Sequence, residues 1–256
     1  MSVHNNHPRV DVLGVRVSAI NMESALATLD TWLSIGHATY VCVTGVHGVM
    51  ECQRDPALLS IHNAAGMITP DGMPMVWASK WAGAAGVDRV YGPDLMLEVC
   101  RKAAEVGWRS FFYGGKPGVA DRLVEILTER FPGLQVAGTF VPPFRDLTPA
   151  EDSHVADLIN NANVDLLWVG LSTPKQERWM ASHRQLLNAK VMFGVGAAFD
   201  INSGSVKQAP RLIQRSGLEW MYRFAQEPTR LWRRYLRNNP EFVLRVLQNP
   251  PRLIAS

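Results

Sequence analysis

The chain has 256 residues, 47% of them hydrophobic and 19% charged, which suits one large α/β domain or one domain with an appendage. Its longest apolar runs, such as Val164 to Leu171 with Asp165 inside, are too short to span a bilayer, and the opening MSVHNNHPRV has no apolar export segment, so a cytoplasmic chain is expected. Net charge is only +3, yet residues 207–256 hold ten basic and three acidic residues against sixteen and twenty in residues 1–206, which marks the last fifty as a separate unit with an anionic partner.

In chain order, Val10–Leu13 and Val15–Ser18, split by Gly14, predict a β-hairpin, and Asn21 caps a helix to about Ser34. Thr39–Thr44 is a strand. Helical stretches follow near His47–Arg54 and Pro56–Asn63, the second capped by Asp55 with Pro56 at its first position. Gly66–Thr69 is a short strand ending at Pro70-Asp71-Gly72, and Met73–Trp81 and Pro93–Val106 are helical. Then strands at Ser110–Tyr113, Gln135–Phe140, Asp165–Gly170 and Lys190–Val195 alternate with helices at Gly118–Phe131, Thr148–Asn161 and Lys175–His183. Thr148-Pro149-Ala150-Glu151 is a capping box. This alternation predicts an α/β, Rossmann-like, mostly parallel sheet with helices on both faces over residues 1–206. Residues 207–256 form a C-terminal helical appendage, with helices at Gly217–Gln226, from Pro228 to about Asn238, and from Pro240 to Gln248.

Ligands of such sheets sit at the carboxyl ends of the strands. Thr44 to His47, Pro70-Asp71-Gly72, Gly114-Gly115, Gly170 to Ser172 and Gly194-Val195-Gly196 through Asp200 all fall there and point to a nucleotide-type ligand. The bland reading is that the glycines only make tight turns. Gly194-x-Gly196 is a poor dinucleotide fingerprint because Phe199 takes the third glycine position, so a nicotinamide enzyme ranks last. Gly114-Gly115-Lys116-Pro117 is no P-loop, and the absence of Asp-x-Asp removes the usual divalent-metal clamp, so neither metal nor cofactor is expected. Cys42, Cys52 and Cys100 form no CxxC pair and read as reduced thiols. Asp71, between Pro70 and Gly72 at a strand end, suits a general base towards a sugar hydroxyl; a cap for the helix at Met73–Trp81 weighs equally on local grounds.

With residues 220–237 on one helix, Arg223, Arg230, Arg233, Arg234 and Arg237 fall within an arc of roughly 100° beside a sector of Trp220, Phe224, Leu231, Trp232 and Tyr235. That pattern suits an interfacial helix on anionic lipid, against a solvated basic face on a packed helix. The acidic core argues against nucleic acid.

These residues together resemble the WecG/TagA/CpsF family of bacterial glycosyltransferases from about Val10 to Arg237. The markers are Val43-Thr44 with His47, Pro70-Asp71-Gly72, Arg89-Val90-x-Gly92-x-Asp94-Leu95, Gly114 to Gly118, Gly170-Leu171-x-x-Pro174-Lys175-Gln176-Glu177, Gly196 to Asp200, and Gly217-Leu218-Glu219-Trp220-x-Tyr222-Arg223. The resemblance implies an inverting, metal-independent enzyme moving a sugar from a UDP-sugar to a polyprenyl-diphosphate-linked saccharide at the inner face of the membrane. The sugar would be N-acetylmannosamine, its uronic acid, or glucose. By position it implies Asp71 as base, Thr44 at the donor sugar, Gln176 and Asp200 lining the donor pocket, and Arg89 as a pocket cation. Arg223, Arg230 and Arg233 would close over the site and stabilise the leaving diphosphate. Val46 stands where many relatives carry Asn, and Gln208 where many carry Arg. The competing class is a non-catalytic, membrane-associated nucleotide-binding protein of the same fold. A homo-oligomer stays open, since the apolar surface under the appendage could pair two cores.

Overall fold

The structure, a computed structural model, describes residues 7–254; most of the N-terminal stretch read above for an export signal lies outside the described residues. The predicted hairpin is β1 (Arg9–Val12) and β2 (Val15–Ser18), turned through Leu13 and Gly14. Helix α1 (Met22–Ser34) opens at Asn21, whose Oδ1 accepts from the Ser24 amide at 3.0 Å. Strand β3 (Thr39–Thr44) leads into α2 (Val46–Arg54), and α3 (Pro56–Ala64) is capped by Asp55 Oδ1, which accepts from the Ala57 and Leu58 amides. Next come β4 (Met67–Pro70), α4 (Met73–Trp81) and α5 (Gly92–Val106). The alternating stretch is β5 (Arg109–Gly114), α6 (Val119–Arg130), β6 (Gln135–Phe140), α7 (Pro149–Asn161), β7 (Leu166–Gly170), α8 (Lys175–His183) and β8 (Val191–Gly194). The capping box at Thr148 and Glu151 forms in both directions. The chain continues through α9 (Ala198–Asn202), α10 (Arg211–Arg215), α11 (Glu219–Gln226), α12 (Pro228–Gln248) and β9 (Arg252–Ile254).

Two compact units divide these elements. The first comprises Met1–Ala25, Val43–Tyr91 and Gln208–Ser256, the second Leu26–Cys42 and Gly92–Lys207. In the second unit β3 pairs with β8, β8 with β7, β7 with β5 and β5 with β6, all parallel. Strands β5, β7 and β8 are buried along nearly their whole length, as a sheet covered on both faces requires. Phe111, Phe112, Trp168 and Phe193 fill this core, and the Trp168 and Phe193 rings stack 4.4 Å apart. The complete sheet has six strands in the order β4-β3-β8-β7-β5-β6. The fold is α/β and Rossmann-like, as the alternation predicts.

In the first unit β1 is the centre of an antiparallel sheet ordered β2-β1-β9. The sequence reading has no strand at β9, because Arg252-Leu253-Ile254 is too short and too polar to stand out from the basic tail. The tail also differs at Pro240. A new helix is expected there, but α12 runs unbroken from Pro228 to Gln248 with Pro240 inside. Proline removes one backbone donor and crowds the preceding turn. The buried stripe Leu231, Tyr235, Asn238, Phe242 and Val246, spaced by three and four residues on both sides of Pro240, holds the helix across that defect.

Polar contacts fix the register of that stripe on α2. Arg54 donates to Asn238 Oδ1 at 2.9 Å and to Glu241 Oε2 at 2.6 Å, and Asn238 Nδ2 donates to His47 Nδ1 at 3.0 Å. Asn238 is 3% exposed, so truncating it removes a buried amide that bonds the part-buried His47 and Arg54. Asn238→Ala is therefore expected to cost about 1–3 kcal/mol. A shift of the urea midpoint to lower concentration checks this, and an unchanged midpoint refutes it.

Candidate functional site

Asp71 lies at the carboxyl end of β4, in the first unit. Its amide donates to Thr44 O at 3.1 Å, which ties the ends of β3 and β4 together. Gly45 is required beside it, since a Cβ there would meet Asp71 O at 2.8 Å. The helix-cap reading of this carboxylate fails. The N-cap of α4 is Gly72, at φ +97°, and no side chain caps that helix. Asp71 Oδ1 is instead buried without a hydrogen-bond partner. Burial raises the Asp71 pKa, Arg89, Arg223 and Arg234 pull it down, and Glu219 pushes it up; the net shift is upward.

The cations around Asp71 come from three segments. Arg89 is anchored: it donates to Gln214 Oε1 at 3.0 Å, pairs with Glu219, and lies over the Tyr91 ring with 3.8 Å from Cζ to the centroid. Gln214 is held in turn by its own bond to Ala209 O at 2.7 Å. The Nε atoms of Arg89, of Arg223 in α11 and of Arg234 in α12 are each buried without a partner, but Arg223 and Arg234 differ from Arg89 in forming no ion pair among the described residues. Burial lowers the Arg234 pKa. For Arg223 burial also works downward, but Tyr235, Tyr91, Glu219 and Asp71 outweigh it and the net shift is upward. Arg234 also has its Cζ 5.9 Å from the Tyr235 ring, which packs against Trp220.

Of Arg223, Arg230 and Arg233, the appendage arginines that the resemblance places over the site, the structure brings only Arg223 to Asp71. Arg230 is exposed and paired with Glu227, and Arg233 is exposed with its guanidinium over Trp232. The backbone leaves helical geometry at Glu227 (φ −134°, ψ 58°), between α11 and α12, yet Arg223 and Arg234, about 20° apart when 220–237 is projected as one helix, both lie near Asp71. Arg234 faces inward in place of Arg233. Thr44 is 1% exposed at the end of β3, directly behind Asp71.

In the second unit the remaining candidates cluster at the ends of β5, β7 and β8. Gly114, at φ +115°, lies so close to Gly170 that a Cβ would meet its carbonyl carbon and oxygen at 2.7 Å, and the Gly115 amide donates to Gly170 O at 3.0 Å. The Phe199 ring closes on both glycines: a Cβ at Gly170 would meet it at 2.8 Å and one at Gly115 at 3.2 Å. These glycines thus have a packing reason to be glycine. Gln176, 2% exposed in α8, gives Nε2 to Glu177 Oε1 at 3.0 Å, and Glu177 also accepts from Thr173 Oγ1 at 2.8 Å. The amide oxygen of Gln176 is buried without a partner and stands 3.3 Å from where a Cβ at Gly196 would sit. Asp200 is part-exposed in the first turn of α9. Among the described residues no three His, Cys, Asp or Glu side chains gather to hold a metal ion.

The upward shift of Asp71 has a consequence for stability. Its neutral form is favoured in the fold, so no stability is forfeited below the unfolded carboxylate pKa of about 3.9, and stability is lost as pH rises through the higher folded value. Asp71→Asn is expected to raise the melting temperature at neutral pH, with the gain disappearing in acid. Melting curves at both pH values check this; a lower neutral-pH melting temperature refutes it.

In the first unit, a carboxylate with an unpartnered oxygen beside Arg89, Arg223 and Arg234 at a strand end of a Rossmann-like fold is an arrangement suited to an enzyme site. Residues 10–254 match the Glycosyl transferase WecG/TagA/CpsF family, and the chain belongs to it. It is a glycosyltransferase. It is 33% identical over 219 residues to a protein of Bacillus spizizenii named N-acetylglucosaminyldiphosphoundecaprenol N-acetyl-beta-D-mannosaminyltransferase, covering 86% of this chain and 82% of that one. Proteins of the same name from Bacillus subtilis and Staphylococcus aureus are 32% and 28% identical, the latter over 94% of this chain and 93% of its own. The non-catalytic alternative gives way to this membership.

Proposed function

We propose that this enzyme transfers N-acetylmannosamine from its UDP derivative to a polyprenyl-diphosphate-linked N-acetylglucosamine, with inversion and without a divalent metal. The names of its relatives support the sugar and the acceptor. Asp71 carries the mechanism: a half-buried carboxylate with a buried, unpartnered oxygen and a raised proton affinity is suited to remove a proton. The acceptor hydroxyl oxygen attacks the anomeric carbon of the donor from the face opposite the diphosphate, its proton passing to Asp71. The bond to the diphosphate oxygen breaks with its electron pair, and UDP leaves.

Charge building on phosphate oxygen is met by guanidinium groups in this reading. Arg223 and Arg234 support it, since buried cations with an unused donor need no reorganisation to stabilise an anion. Thr44, Gln176, Asp200 and the glycines Gly114, Gly115 and Gly196 are assigned to the donor, on the strength of the family resemblance and their strand-end positions. The unused Gln176 oxygen supports a hydrogen bond to a donor group.

The reaction takes place at the inner face of the membrane in this proposal. No helix of the described residues is long and apolar enough to cross a bilayer. Helix α12 nevertheless exposes Trp232, Leu236, Val243 and Leu247 at spacings of four, seven and four residues, beside exposed Arg233 and Arg237. The test is product analysis with the purified protein, a short-chain N-acetylglucosaminyl-diphospholipid, and UDP-N-acetylmannosamine, its uronic acid or UDP-glucose as donor, in chelator. Turnover with the first donor is expected. Turnover with UDP-glucose alone refutes the sugar, and turnover only after divalent metal is restored refutes the role given to arginine.

A further inference from the structure

A second apolar surface lies in the first unit, apart from the stripe on α12. Trp77 and Trp81 of α4, one helical turn apart, are 50% and 54% exposed, and Leu212 of α10 is 86% exposed. Leu218 and Met221, at the start of α11, are each half-exposed. These side chains belong to one surface. The outer edge of the Trp77 ring abuts the turn between α10 and α11, where a Cβ at Gly217 would meet Trp77 Cη2 at 2.4 Å, and Leu218 follows directly. Monomeric proteins rarely leave two tryptophans and three aliphatic side chains together in water.

The charge of this surface is of one sign. Lys80, Arg211 and Arg215 are exposed on it, and neither residues 72–87 nor residues 201–218 contain any carboxylate. Cations interleaved with half-exposed tryptophans are the composition of a protein face seated in the headgroup layer of an anionic membrane. Tryptophan favours that depth because its ring is apolar and its N–H remains a donor.

The same elements that make this surface hold the charges at Asp71. Gly72 caps α4 immediately after Asp71, and α11 turns Glu219 and Arg223 towards Asp71 while Leu218 and Met221 are exposed. At roughly 100° per residue, positions 219 and 223 share one helix face and 218 and 221 another. We infer that Trp77, Trp81, Leu212, Leu218 and Met221, with Lys80, Arg211 and Arg215, form a membrane-contact surface for anionic lipid, distinct from α12, on the outer side of the helices that frame the base. This rests on the proposed lipid-linked acceptor. Such an acceptor keeps its polyprenyl chain in the bilayer, so the base must be offered to the headgroup layer, and a contact surface on the elements bearing the base achieves that.

The test is flotation of the full-length chain with phosphatidylcholine vesicles with and without phosphatidylglycerol. Trp81→Glu with Leu212→Glu places two carboxylates on the surface at exposed positions, which spares the fold; a melting curve checks that. Leu186→Glu, at an exposed leucine of the second unit, is the control. The wild type and the control are expected to float with anionic vesicles, and the double variant to lose at least about tenfold of that partitioning. Flotation of the double variant at the wild-type level overturns the inference. So does a sedimentation-velocity change from oligomer to monomer in the double variant without loss of flotation, which would make this face a subunit interface. Turnover of a short-chain, water-soluble acceptor is expected in both proteins. If the wild type itself fails that assay while the flotation difference holds, the proposed acceptor is wrong and the membrane surface stands.

Discussion

Asp71→Asn is expected to lower kcat by about two to four orders of magnitude, the range over which a positioned base acts, while binding of the UDP-sugar is retained. The amide keeps the shape of the carboxyl and loses only the ability to accept the proton. In the wild type, kcat should fall as the pH drops through the raised pKa of Asp71, because the base is then protonated; the variant's residual rate should lack that limb. The melting-temperature gain expected of the same variant at neutral pH separates chemistry from folding, since an inactive protein that is more stable has lost function at the site itself. Wild-type rates in Asp71→Asn would remove the base assignment.

Much of the frame can be read without coordinates, because local chemistry decides it. Asn21, Asp55 and Thr148 each cap the helix that their side chains predict, and strand runs such as Gln135–Phe140 match to the residue. The prominence of Asp71 is also legible, since proline before and glycine after a strand end leave few structural reasons for a carboxylate. What escapes depends on tertiary packing. Pro240 reads as a helix start but sits mid-helix because the buried stripe on both sides outweighs one lost backbone bond. Strand β9 exists only because β1 offers it an edge. The strand-end glycines read as signs of a ligand, whereas Gly114 is also demanded by the closeness of Gly170, and Gly170 by the Phe199 ring. No spacing rule shows that a phenylalanine far along the chain will occupy that space.

The arginine of the projected arc that the family resemblance leaves without a role carries the second large effect. Arg234→Ala is expected to lower kcat/KM by about 10²–10³-fold, as loss of one preorganised donor to a developing anion does. Arg233→Ala, one residue earlier but exposed, should change it by no more than about twofold if surface substitutions behave here as they do elsewhere. The contrast follows from helix geometry: neighbours on α12 point about 100° apart, and Arg234 is the one on the side of Asp71. Arg234→Lys should recover little, because an ammonium lacks the planar fork and, in a buried position, gives up its proton more readily than guanidinium. Removing Arg234 also takes away one of the cations that lower the Asp71 pKa, so the acidic limb of the pH profile should move to higher pH. A purely structural arginine would leave that limb in place. Steady-state rates over pH for the two alanine variants decide the matter, and equal losses at Arg233 and Arg234 would mean that the inward face of α12 has no special part in catalysis.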